Sequence, residues 1–176
     1  MAKANDTFST LHAALEFRNN EHLHKLLALL PTKETATRKA HLVGLIEREM
    51  EGENLRRLYA QLDEMQQKAV SEAVWDKEGS FRADRFQAKY GGTPVFATTR
   101  DERTFSDYWG SPTRLCLFLF NNDRYTYPWQ GWIVPRDLQQ RLQAFVPRPS
   151  ALKLNTTDAL PECIERAEQE WALAEG

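Results

Sequence analysis

The sequence predicts a mainly α-helical fold with a short β hairpin, in which a leucine-rich helical bundle precedes helix–strand–helix units. Three observations predict it. Leucines recur at spacings of three and four through the first 60 residues. The turn Asp76-Lys77-Glu78-Gly79 divides two helical patterns with only Ser80-Phe81 extended between them. A continuous apolar run, Leu115–Phe120, leads through Asn121-Asn122-Asp123 into an extended aromatic stretch.

Each element has a local cause. Leu11 and Leu15 stand four apart, and Leu23, Leu26, Leu27 and Leu30 trace one stripe, with Asn20 as the expected N-cap and Pro31 as the stop. Thr32–Thr37 is polar and reads as a loop. A helix beginning near Thr37 turns Leu42, Leu45, Ile46 and Met50 to one side and breaks at Gly52. Leu55, Leu58, Tyr59 and Leu62 mark a short helix. Asp63 and Gln66 form a capping box for the next, which carries Val70, Ala73 and Val74. Arg82–Tyr90 is a short helix closed by Gly91-Gly92. After a polar stretch, Ser111-Pro112 caps an element over Thr113–Phe120, for which strand and buried helix stay open. Arg124–Val134 reads as extended or as a hairpin, and Pro135 begins a helix through Phe145. Pro147-Arg148-Pro149-Ser150 reads as a linker and Pro161 opens a last, acidic helix. The expected divisions are 1–60, a helical segment; 61–150, one or more winged-helix-like units with a hairpin; and 151–176, linker and acidic helix. The chain stops inside a charged helical pattern, as expected of the start of something longer or of a segment lying on a partner.

Composition narrows the function classes. The chain has 176 residues, 23 Lys+Arg against 25 Asp+Glu, and 41% hydrophobic residues, which fits a globular chain and not a disordered or fibrous one. Cys116 and Cys163 form no metal-spaced pair, so a reducing, cytoplasmic setting is expected. No run is apolar for the ~18 residues of a membrane span, so no membrane partner is expected. Net charge is −2 overall but uneven: residues 82–154 hold eleven basic and six acidic side chains, residues 155–176 one and six. A basic middle suits phosphate contact, since each paired phosphate releases a counterion; it also suits an ordinary mildly basic surface.

Catalytic motifs are missing. No Gly-rich phosphate loop follows a strand, so a helicase motor has no seat in the chain. His22 and His24 point to different faces of a helix, His12 and His41 stand alone, and no serine sits in a nucleophile elbow. Cys116 lies in an apolar run, where burial makes a thiol inert. The expectation is a protein that is not an enzyme and has no cofactor, no metal site and no catalytic residue.

Three features remain. Leu29–Thr32 followed by Thr37-Arg38-Lys39-Ala40-His41-Leu42 resembles the SAP motif, a helix-loop-helix DNA-binding element, although Thr37 stands where a glycine is usual and Leu45 where a basic residue is. A helix N-terminus attracts phosphate through free amides and the dipole, and Arg38 and Lys39 add charge there; a plain helix pair with two solvated cations is the other reading. Second, Leu62–Gly91 has the order of a helix-turn-helix or winged-helix unit. Arg82, Arg85 and Lys89 then share one face of its second helix, as the helix that meets DNA, with Phe81, Phe86 and Tyr90 in the core. A winged scaffold used for protein contact accounts equally for these residues. Third, Arg124 precedes Tyr125, Tyr127 and Trp129, which share one face of an extended chain. They stack bases, anchor a protein partner, or fill a core strand, the last being expected of Trp132.

Taken in order, Thr-Arg-Lys-Ala-x-Leu, Leu-Asp-x-x-x-Gln-x-Ala-Val, Phe-Arg-Ala-Asp-Arg-Phe-x-Ala-Lys-Tyr-Gly, Ile-Val-Pro-x-Asp-Leu and Val-Pro-x-Pro resemble the N-terminal region of bacterial helicase-associated domain proteins, the group with an XPB-like N-terminal domain. The likeness runs over most of residues 23–170. It implies tandem helical and winged-helix units tied to a DNA repair or phage-defence helicase system, with the motor elsewhere. The expected function is a non-catalytic DNA-binding module, acting on duplex or single-stranded DNA mostly through backbone contacts from Arg38, Lys39, Arg82, Arg85, Lys89 and Arg124. The cationic helices are expected to point their charges outward while burying their apolar sides against each other. The alternatives are a module docking a helicase or nuclease partner through Tyr125, Tyr127, Trp129 and the acidic tail, and a winged-helix transcriptional regulator.

Overall fold

The computed structural model describes residues 8–98, 111–121 and 131–150. Four helices come first: α1 (Leu11–Glu16), α2 (Asn20–Leu27), α3 (Lys39–Glu49) and α4 (Gly52–Ala60). Side chains that accept from early helix amides fix the first two starts. Thr10 Oγ1 accepts from Ala13 N at 3.1 Å and Asn19 Oδ1 from His22 N at 2.8 Å. The α2 cap is therefore Asn19, one residue before the expected Asn20, because the residue whose oxygen meets the third amide must stand outside the helix. Between α3 and α4 the chain reverses through Gly52, whose φ of +52° suits glycine.

Next comes α5 (Glu64–Trp75), opened by the predicted capping box. Asp63 accepts from Gln66 N at 2.8 Å, and Gln66 Oε1 accepts in return from Asp63 N at 3.4 Å. Asp63→Ala should cost about 1 kcal/mol of stability. Urea unfolding monitored by far-UV circular dichroism measures it, and an unchanged midpoint would show the cap to be redundant.

Asp76 closes α5 into a turn, its Oδ1 accepting from Glu78 N at 2.9 Å and from Ser80 N at 3.2 Å. The turn delivers β1 (Ser80–Phe81) and then α6 (Ala83–Tyr90), which ends at Gly91 in the left-handed region. Two further strands, β2 (Ala97–Thr98) and β3 (Ser111–Pro112), pair antiparallel. Ser111-Pro112 is thus strand and not cap. The apolar run after it divides: Arg114–Leu117 is a 3-10 turn and Phe120–Asn121 is β4. Leu115 to Phe120 are buried throughout, which is why periodicity alone left the run undecided. β4 pairs with β5 (Trp132–Ile133) as the two arms of a hairpin, and β5 pairs with β1 on its other side, giving the antiparallel order β1-β5-β4. The last described helix is α7 (Arg136–Gln143).

This is a mainly helical fold with a short hairpin. From α5 onward the described elements run helix, strand, helix, the β2–β3 pair, 3-10 turn and hairpin, a winged-helix-like order with a strand pair inserted before the third helical turn. The C-terminal end of α5 is finished by α7: Gln139 Nε2 donates to Val74 O at 2.9 Å and Asp76 O at 2.8 Å, and Gln143 Nε2 donates to Val74 O at 3.0 Å. These are carbonyls a helix end would otherwise leave unpaired.

One buried core runs from Phe8 to Val146 and draws on both sides of residue 60. Two long-range hydrogen bonds join the same parts. Leu11 N donates to Asp137 Oδ1 at 2.8 Å, and Arg18 Nη2 donates to Asn121 O at 2.9 Å. The helices of 1–60 and the winged part of 61–150 therefore share their interior.

Candidate nucleic-acid interface

The expected cations fall into two groups with different anchors. α3 buries Leu42, Val43 and Ile46 and packs on α1 and α2. α6 buries Phe86, whose ring lies 5.3 Å from that of Phe81 in β1. The apolar sides of the two cationic helices thus face different neighbours and not each other, as had been expected.

Arg38 precedes α3 in extended geometry, exposed and without a side-chain cap bond. Lys39 Nζ donates to the carbonyl of Glu16, at the last turn of α1. A cation there complements the helix dipole, so Lys39 joins two helices instead of standing free for phosphate.

α6 supplies the more open cations. Arg82 and Arg85 are exposed, and among the described residues neither has a carboxylate within ion-pair distance. Lys89 differs. Its Nζ lies 2.5 Å from Glu72 Oε1, the same oxygen accepts from Tyr90 OH at 2.8 Å, and the lysine side chain is only 11% exposed. It pins α6 to α5, and the predicted stripe of three reduces to two.

These residues line a cleft of about 290 Å³ between the C-terminal end of α5, the start of α6 and Pro149-Ser150. Glu72 and Asp76 are the carboxylates that border it. Both are committed, Glu72 to Lys89 and Tyr90, Asp76 to the turn amides. Trp75 forms part of the wall. Its Nε1 donates to Val146 O at 3.2 Å, and the Arg148 guanidinium sits 4.4 Å from the ring centroid. Ser71 Oγ donates to Pro147 O at 2.6 Å, so Pro147 and Arg148, from the stretch predicted as linker, lie against α5. Trp75 and Arg148 were missed as site residues. The only signal in the sequence was an aromatic residue directly after the apolar stripe Val70, Ala73 and Val74; nothing in the sequence paired it with Arg148.

The winged order changes the expected role of α6. It is the second helix of the unit, and the third position, Arg114–Leu117, is a short turn with Leu115, Cys116 and Leu117 buried. Within that turn only Arg114 is exposed. Cys116 lies inside, its thiol pushed up to about 12 by burial. Trp132 is a core residue, stacked on Phe96 with ring centroids 4.1 Å apart. Arg124, Tyr125, Tyr127 and Trp129, and the acidic tail, lie outside the described residues.

Among the described residues no group of three or more His, Cys, Asp or Glu is placed to hold a metal ion, and no helix is long and apolar enough to cross a membrane. No protein-family model, no curated protein and no solved structure matches the chain.

Proposed function

We propose that the chain is a non-catalytic DNA-binding module that grips the sugar-phosphate backbone at the α6 cleft and works beside a helicase-type repair or defence system. The observation that carries the reading is the pair Arg82 and Arg85, exposed at the cleft and without an ion pair among the described residues, while Glu72 and Asp76 are engaged by other groups. Arg148, against the Trp75 ring, and Arg38, exposed before α3, are further cations. The helicase link is supported by the order of motifs described above.

The test is DNA affinity across a salt series. Arg82→Ala and Arg85→Ala should each weaken binding and each lower the log–log salt slope by about 0.9 on duplex DNA. Lys89→Ala should leave that slope unchanged, because its charge is already paired. Salt-insensitive binding, or slopes unmoved by both arginine substitutions, would leave the winged unit as a scaffold for protein contact.

A further inference from the structure

The α6 cleft combines two kinds of wall. Arg82 and Arg85 supply cations to its lining, and Trp75 supplies an aromatic residue. A site that only steered a phosphate backbone would need the first and not the second. The indole is also held in place: its N–H is bonded to Val146 O, Arg148 lies against the ring, and the next carbonyl, of Pro147, is tied to Ser71. An aromatic surface fixed before the ligand arrives loses little side-chain freedom on binding.

Resting on the DNA-binding reading, we propose that this cleft takes one unstacked nucleotide of a single strand, with its base against Trp75 and its phosphate between Arg82 and Arg85. Size and chemistry agree. At about 290 Å³ the cleft stands at the lower edge of small-ligand pockets, which run ~300–1,000 Å³. Bases in a duplex are already stacked on their neighbours, so only a single strand or a frayed end has a free face to offer. Among the described residues neither Glu72 nor Asp76 forms an ion pair with Arg82 or Arg85, although one oxygen of each is already engaged, Glu72 by Lys89 and Tyr90 and Asp76 by the turn amides. Stacking on an aromatic ring tolerates any base.

The experiment compares three probes of matched phosphate number on the full chain: oligo-dT, an abasic oligomer, and a blunt duplex. Wild type should bind oligo-dT about ten-fold tighter than the abasic strand, the range expected of one stacked base. Trp75→Leu should bring that ratio close to one, whereas Arg82→Ala should weaken both single strands by a similar factor. Equal affinity for oligo-dT and the abasic strand, or tighter binding of the duplex, overturns the base pocket while leaving backbone binding intact. Failure to bind any probe overturns both readings. The wild-type ratio needs no substitution, so the proposal stays testable if Trp75→Leu does not fold.

Discussion

Phe118→Ala is expected to lower stability by about 3–5 kcal/mol, a large part of the ~5–15 kcal/mol that holds a domain together. Phe118 is fully buried, and its ring meets that of Tyr59 from α4 edge-on at 6.4 Å. The vacated volume would therefore open between the first four helices and the winged part, where neighbours fixed by both can relax only partly. The same contact predicts how the chain melts. Far-UV dichroism reports mainly on helices, whereas tryptophan fluorescence reports on the part that contains Trp75 and Trp132, since α1 to α4 hold no tryptophan. Because the core is common, the two signals should move together in urea, in wild type and variant alike. Two separated transitions would mean that the segments on either side of residue 60 fold independently.

Acid should destabilise the fold through His22. Burial first, and then the charges of Arg18 and Lys25, lower its pKa from 6.5 to about 4, with Glu21 acting in the opposite direction. The folded state keeps the imidazole neutral, whereas the unfolded chain protonates it below about 6.5. Between those values the unfolded state binds more protons, so stability falls as pH falls; above 6.5 the contribution is fully present. The span corresponds to about 3 kcal/mol lost by pH 4. His22→Gln, which cannot charge, should lose correspondingly less between pH 7 and pH 4.5 in urea titrations. Parallel losses in the two proteins would assign the acid limb to other groups.

What the sequence made legible was mostly local. Asp63 with Gln66 and the glycine after Tyr90 act within one helical turn, so residue type and spacing sufficed to place those ends. The β5 arm fell inside a stretch read as extended or hairpin, but Asn121, read as turn, belongs to the β4 arm. The run after Thr113 was not, because a segment buried on every side has no periodicity to read. The candidate site was half legible. Arg82 and Arg85 follow from helical spacing, but whether a cation is free depends on partners far along the chain. Lys89 finds Glu72 from the preceding helix, and Lys39 finds a carbonyl of α1. Trp75 meets Arg148 across 73 positions, and no local rule foresees that encounter.

The way α5 is finished has a consequence for biogenesis. Its final carbonyls wait for amide groups on Gln139 and Gln143, which are synthesised more than sixty residues later. A nascent chain that has cleared the ribosome only through α6 has both arginines but lacks the brace that sets the tryptophan beside them. The cleft is thus completed only once α7 and residues 146–148 have been made.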